Sequence, residues 1–244
     1  MFLNRNRVGR ALSAFDHASH RWAAIPLRDP HDPITQRPSS SPLADAHAVG
    51  KQMLSLTSWN IQASQSKPVA RSELILDHIL KGPNFPDIIL LQEVASRVRQ
   101  SLLSDPRLCL AQSYVSSTST STPATRSSGV RSRCWCWLAG LLREPGCSGG
   151  IIAGDFNAIH PHDHTLVDQH GLVDAWVALH GPNGGATWSV GGVELEDDGH
   201  KPGRLDKVVM LGLQPDEIEV LQPGLISAYT PWRDHCGLRC TFTV

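Results

Sequence analysis

No run in this sequence of 244 residues approaches the roughly 20 apolar residues that a membrane-crossing helix needs, so no membrane role is expected. Charge of one sign is also lacking: 22 Lys and Arg face 23 Asp and Glu, a formal net charge of -1. No strong overall field then draws the chain to nucleic acid or to an anionic surface, and any polyanion must be held locally. The six cysteines, at 109, 134, 136, 147, 236 and 240, include no Cys-x-x-Cys pair and no His/Cys spacing suited to zinc. That absence points to a reduced intracellular protein of the nucleus or cytoplasm. Cys236 and Cys240 alternate with Leu238 and Phe242 along one strand face and are expected to be small core residues. Arg5, Arg7 and Arg10 occur without an acid and faintly resemble a mitochondrial import presequence, though a surface helix is the plainer expectation.

A hydrophobic content of 41% and a charged content of 18% suit one large globular domain with a tail. Residues 1–50 read as that tail, with a short helix from Arg10 to Trp22 and a mobile linker from Pro26 to Ala48. The domain spans 51–244. Pro68 opens a helix striped by Ile75, Leu76, Ile79 and Leu80; further helices are predicted over Val94–Leu103, Leu138–Arg143 and Leu172–His180. Strands are predicted at Met53–Trp59, Asp87–Val94, 150–154, Ala186–Val190, Arg204–Met210, Glu217–Leu221 and Cys236–Val244. A segment at about 105–137, rich in Ser and Thr from 113 onward, shows neither period and is expected to be irregular. Strands dominate and helices intervene irregularly, which favours a layered α/β arrangement with sheets packed face to face.

Several strands end abruptly in polar residues. Gly154-Asp155-Phe156-Asn157 closes Ile151-Ile152-Ala153 and sets a carboxylate and a carboxamide two residues apart, on one side of a sheet's rim. Asn60 ends another strand, Gln92-Glu93 a third, and Asp234-His235 precedes a fourth. Singly each reads as a turn or a solvated strand end. Together they are hard to ascribe to chance. His160, His162, His164 and His170 lack a matching fourth ligand and are expected to lie in a hydrated loop.

Ser58-Trp59-Asn60-Ile61, Leu91-Gln92-Glu93-Val94, Gly154-Asp155-Phe156-Asn157, Leu205-Asp206-Lys207-Val208 and Asp234-His235-Cys236-Gly237-Leu238 resemble, in order, the motifs of the endonuclease/exonuclease/phosphatase superfamily. The resemblance implies a deoxyribonuclease I-like four-layer α/β sandwich. Within the superfamily, Val173-Asp174-Ala175-Trp176, Ala186-Thr187-Trp188 and Gly203-Arg204-Leu205-Asp206 are similar to 5′-tyrosyl-DNA phosphodiesterases, as is Trp232 ahead of Asp234-His235. Those enzymes cleave a phosphodiester between a protein tyrosine and a DNA 5′ end. The implied activity is Mg²⁺-dependent hydrolysis at DNA ends in repair, with Mn²⁺ as the alternative ion.

Hydrolysis of a phosphate ester requires neutralised oxygens, an activated water and a stabilised leaving oxygen. Glu93 is assigned as the principal metal ligand with Asn60 and Asp234 nearby, and Asp155 as the group that deprotonates water. Asn157 holds the phosphate or that water. His235 donates to a phosphoryl oxygen, and Asp206 fixes its tautomer. Trp188 either stacks on a base or packs in the core, and Arg233 binds phosphate or is merely tolerated.

The pattern also departs from the family. Positions 94 to 154 separate Glu93 from Asp155, and no histidine lies among them where the family carries one on a further strand. The sandwich is therefore expected to be incomplete in the middle. The alternatives are a degenerate relative without catalysis, or a phosphatase or lipid phosphodiesterase of the same superfamily.

Overall fold

A computed structural model describes residues 12–16, 21–25, 53–61, 67–81, 85–110, 114–118, 138–144, 147, 149–190, 202–227, 230–231 and 234–243. In chain order the strands are β1 (Leu12–Asp16), β2 (Arg21–Ile25), β3 (Met53–Asn60), β4 (Ile88–Gln92), β5 (Tyr114–Thr118), β6 (Gly150–Asp155), β7 (Val173–Asp174), β8 (Asp206–Leu211), β9 (Gln214–Leu221), β10 (Leu225–Ser227), β11 (Thr230–Pro231) and β12 (Gly237–Thr243). The helices are α1 (Pro68–Ile79), α2 (Ser96–Leu103), α3 (Pro106–Leu110), α4 (Pro161–Gln169) and α5 (Ala175–His180). A helical turn lies at 138–141.

Parallel neighbours need a crossover, and α1 provides it between β3 and β4. Pro68 starts α1, where its missing N–H costs nothing, and the helix buries Ile75, Leu76 and Ile79. One sheet runs β5-β4-β3-β12-β9 and a second runs β6-β8-β7; β1-β2 and β10-β11 form separate ribbons. Trp59, Ile89 and Leu91 pack beneath α1 and α2 on the outer face of the first sheet. Leu56, Leu238, Cys240 and Phe242 meet Val208 and Met210 between the two sheets. Val209, alternating with those last two, turns outward onto Leu166, Leu172 and Ala139. Helices, sheet, sheet and helices thus stack in four layers, the sandwich that the resemblance implied.

Several local expectations are corrected. Residues 12–16 and 21–25 are paired strands rather than a helix over 10–22; short apolar segments satisfy both periods, and a tight antiparallel ribbon pairs its own backbone. Tyr114–Thr118 is a strand parallel to β4, although the sequence shows no period there; residues 119–137 lie outside those described. The histidines at 160–164 start a helix, because Pro161 takes its first turn and His160 and Asp163 form a reciprocal cap. The helix expected over 172–180 starts only at Ala175, where Asp174 accepts from the N–H groups of Trp176 and Val177. Ala186–Val190 is no strand; Trp188 makes only isolated bridges. Cys236 and Cys240 are buried as expected, and burial pushes both thiols up to about 12.

Asp174 also fastens α4 and α5 to β8. Its Oδ2 accepts from Arg204 at 2.6 Å and from the fully buried Lys207 Nζ at 3.0 Å, while His164 Nδ1 lies 3.3 Å from that ammonium. Burial pulls Lys207 below its ordinary value despite Asp174. Burial opposes the Asp174 charge too, but Lys207 and Arg204 outweigh it and hold the carboxyl below its usual range. Two cations serve one carboxylate, so the carboxylate gains more from the arrangement than the ammonium does. Asp174→Asn keeps a helix-capping side chain but leaves Lys207 buried without its counterion, and is expected to cost about 3–5 kcal/mol in urea unfolding. Adding Lys207→Met is expected to restore most of that stability.

Candidate active site

The inter-sheet face leads straight into the polar residues. Leu56 faces the second sheet, and with a period of two so does Asn60, at the end of the same strand. Ala153 and Asp155 stand in the same relation on β6, as do Val208 and Asp206 on β8. The antiparallel register sets Asp155 directly opposite Asp206. Where the hydrocarbon between the sheets stops, a carboxamide and two carboxylates take over.

Asn60 joins the two sheets. Its Nδ2 donates to Glu93 Oε1 at 3.3 Å and to Asp155 Oδ2 at 3.1 Å. Asn157 donates to Asp155 twice, from the backbone N–H to Oδ1 at 2.8 Å and from Nδ2 to Oδ2 at 3.1 Å. Asp206 Oδ2 lies 2.8 Å from His235 Nδ1 in a buried pair. Asp155, Asp206 and His235 each present a ligand-competent atom within 4.8 Å of the others. Glu93, Asp155 and His235, from three distant parts of the chain, therefore share one site.

The electrostatics follow from that crowding. Burial raises the Asp155 carboxyl, the facing Asp206 raises it further, and His235 with the donors from Asn157 and Asn60 only partly offset them; it is pushed up to about 6. Burial disfavours the His235 imidazolium, but the Asp206 hydrogen bond and charge, with Asp155 and Asp234, outweigh it and raise the imidazole above its ordinary value.

Of the residues singled out in the sequence, Asn60, Glu93, Asp155 and Asn157 are joined by hydrogen bonds, and Asp206 and His235 flank them. Asp234 adjoins His235, accepts the Ser189 N–H at its carbonyl, and lies in the field of the buried Arg71. The compact carboxylate and imidazole group contains Asp155, Asp206 and His235, whereas the sequence pointed to Glu93, Asn60 and Asp234 as metal ligands. Glu93 and Asn157 both adopt left-handed backbone, with φ of 54° and 48°, a strain that non-glycine residues bear chiefly where the surroundings impose it. Trp188 bridges to Gly203 and to His235, and lines a cavity of about 910 Å³ with Asn157, Ile159, His164, Arg204 and His235. Arg233 and Trp232 lie outside the described residues.

Two residues that hold this site stand within quoted motifs but drew no role of their own from the sequence. Trp59, fully buried, donates from Nε1 to the His235 carbonyl at 3.1 Å, and a Cβ on Gly237 would fall 2.5 Å from its ring. Thr187, also fully buried, accepts the Cys236 N–H at its carbonyl at 2.6 Å.

Comparison with known proteins decides the family, since the profile of the endonuclease/exonuclease/phosphatase family matches residues 57–210. The chain belongs to that family. No curated protein matches the sequence. Among solved structures, D. rerio TDP2 complexed with a single-strand DNA product is 15% identical, with a TM-score of 0.59 over 80% of this chain and 100% of that one. Truncated Caenorhabditis elegans TDP2 is 21% identical, with a TM-score of 0.56 over 79% and 98%. A family protein from Bacteroides thetaiotaomicron is 12% identical, with a TM-score of 0.54 over 80% and 98%. At such identities these similarities establish the fold alone. No helix among the described residues is long and apolar enough to cross a membrane.

In metal-free protein the Asp155 carboxyl is expected to titrate near about 6, followed by its ¹³C carboxyl signal. A divalent cation bound beside it favours the carboxylate and is expected to move the midpoint down. A metal-free midpoint at the unperturbed value of about 3.9 would contradict the crowded geometry.

Proposed function

We propose that the chain is a Mg²⁺-dependent phosphodiesterase acting at DNA ends, of the 5′-phosphotyrosyl-DNA type. The observation that carries this reading is the single linkage from Glu93 through Asn60 to Asp155, with the Asp206–His235 pair on its far side and a cavity alongside. The motifs quoted above and the TDP2-like fold support the substrate class, as does the single-strand DNA bound to one of those relatives. Residues 51–244 form the catalytic unit in this reading, and the protein works in the nucleus or cytoplasm.

A divalent cation suits these residues because the donors are hard oxygens and the Asp155–Asp206 pair carries more negative charge than its surroundings neutralise. Glu93 would hold the ion, with Asn60 and Asp234 adjoining; when bound, it neutralises phosphate oxygens and lowers the acidity barrier of a nearby water. Asp155 takes the proton of the attacking water. Asn157 keeps the Asp155 carboxylate aligned and turns its carboxamide toward the same space. His235 offers its Nδ1 proton to Asp206, so only the imidazolium has a second proton, on Nε2, to give to the phosphoryl oxygen. Trp188 forms a wall on which a nucleobase can stack, and Arg233 adds a cation for the phosphate chain.

Three predictions test the reading. Against a panel of 5′-phosphotyrosyl DNA, abasic DNA and small phosphate monoesters, hydrolysis is expected for the first and to vanish with chelation. Asp155→Asn and His235→Ala are each expected to lower turnover by about 10²–10⁴ with the fold retained by circular dichroism. Hydrolysis of monoesters alone would replace this function with a phosphatase, and hydrolysis of nothing would leave a degenerate relative. The pH profile of kcat/KM is expected to be a bell. It rises as Asp155 loses its proton, at or below about 6 once a cation is bound, and falls above the raised value of His235 as the imidazolium is lost.

A further inference from the structure

We infer that Thr187 is a positioning residue for the Asp206–His235 pair, its hydroxyl fixing the strand end that carries Asp206 and its carbonyl fixing the segment just after His235. The inference rests on the catalytic role proposed for that pair. Residues 187–189 act as a clip between two segments distant in sequence. On one side the N–H groups of Thr187 and Trp188 both donate to the Gly203 carbonyl, at 2.9 and 3.0 Å. On the other, Ser189 N–H donates to the Asp234 carbonyl at 3.0 Å and Cys236 N–H to the Thr187 carbonyl at 2.6 Å. Any residue at 187 could supply those backbone bonds.

The hydroxyl is different. Thr187 Oγ1 accepts from the N–H of Leu205 at 3.1 Å and from the N–H of Asp206 at 2.9 Å, which occupies both lone pairs of a hydroxyl. Both bonds are buried, so neither donor has water as a substitute. The Asp206 carboxylate needs such anchoring. Its Oδ2 meets His235, while its buried Oδ1 has no hydrogen-bond partner among the described residues, so the backbone and His235 alone set its direction. Trp59 holds the His235 carbonyl from the opposite side. Valine would match threonine in shape and leave the two amides of residues 205 and 206 unsatisfied, whereas serine would keep the acceptor and lose only a methyl group.

The test compares Thr187→Val with Thr187→Ser. With whichever phosphoester the unmodified protein hydrolyses, Thr187→Val is expected to lower kcat about 10- to 100-fold while KM stays within about threefold, because misplacement acts on the transition state. The downfield proton signal of His235 Nδ1–H, read without substrate, is expected to disappear in Thr187→Val and persist in Thr187→Ser. Thr187→Ser is expected to recover turnover to within about fivefold, since the acceptor is what the pair requires. A Thr187→Val protein that keeps both turnover and the proton signal would overturn the inference, and so would a Thr187→Ser protein as impaired as Thr187→Val. Should Thr187→Val not fold, amide exchange in the unmodified protein decides: protected Leu205 and Asp206 N–H groups support the role, and exchange at the rate of exposed amides refutes it. Because the proton signal and the amide exchange need no substrate, they decide on Thr187 even where the unmodified protein hydrolyses nothing and the proposed function fails.

Discussion

Two carboxylates facing each other across an antiparallel pair impose the central constraint on this molecule. Asp155 and Asp206 are register partners, and like charges so placed repel most where water is scarce. The neighbouring groups are arranged to make that tolerable. Asn60 and Asn157 aim N–H groups at Asp155, and His235 meets Asp206, so each charge finds hydrogen-bond partners of its own. Crowding that these partners only partly offset keeps the Asp155 carboxyl raised, as a proposed base beside a cation requires.

The sandwich is what brings the pair together. Asn60 comes from β3, in the first sheet, and Asp155 and Asp206 come from β6 and β8, in the second. Packing Leu56, Leu238 and Phe242 against Val208 and Met210 fixes the separation of the two sheets. The site therefore inherits its dimensions from hydrocarbon contacts below it, and close packing there transmits any change in spacing upward.

Much of the site was legible because its residues end strands. Apolar runs that stop in Asn60, Glu93 and Asp155 announce both the element and its rim, and the polar stop marks the boundary even where pairing is unknown. Register was not legible: nothing in β6 says that Asp155 meets Asp206. The start of α4 was missed since its apolar face is only Leu166 and Val167, and its cap is a histidine rather than the usual Ser, Thr, Asp or Asn. β5 was missed because Ser116 and Ser117 interrupt its β-forming Tyr114, Val115 and Thr118, leaving the pairing with β4 to decide. Thr187 and Trp59 stood within quoted motifs, yet their roles were hidden for a different reason. Both work through polar atoms bonded to the backbone of remote segments, a relation that spacing along a chain does not encode.

The buried ammonium of Lys207 has a use outside catalysis. It sits beside Asp206 on β8 and lies entirely out of water, so an amine-reactive label can modify it only when that strand leaves the sandwich. Its labelling rate, set against that of surface lysines in the same sample, would clock the opening of the strand that carries the carboxylate of the Asp206–His235 pair.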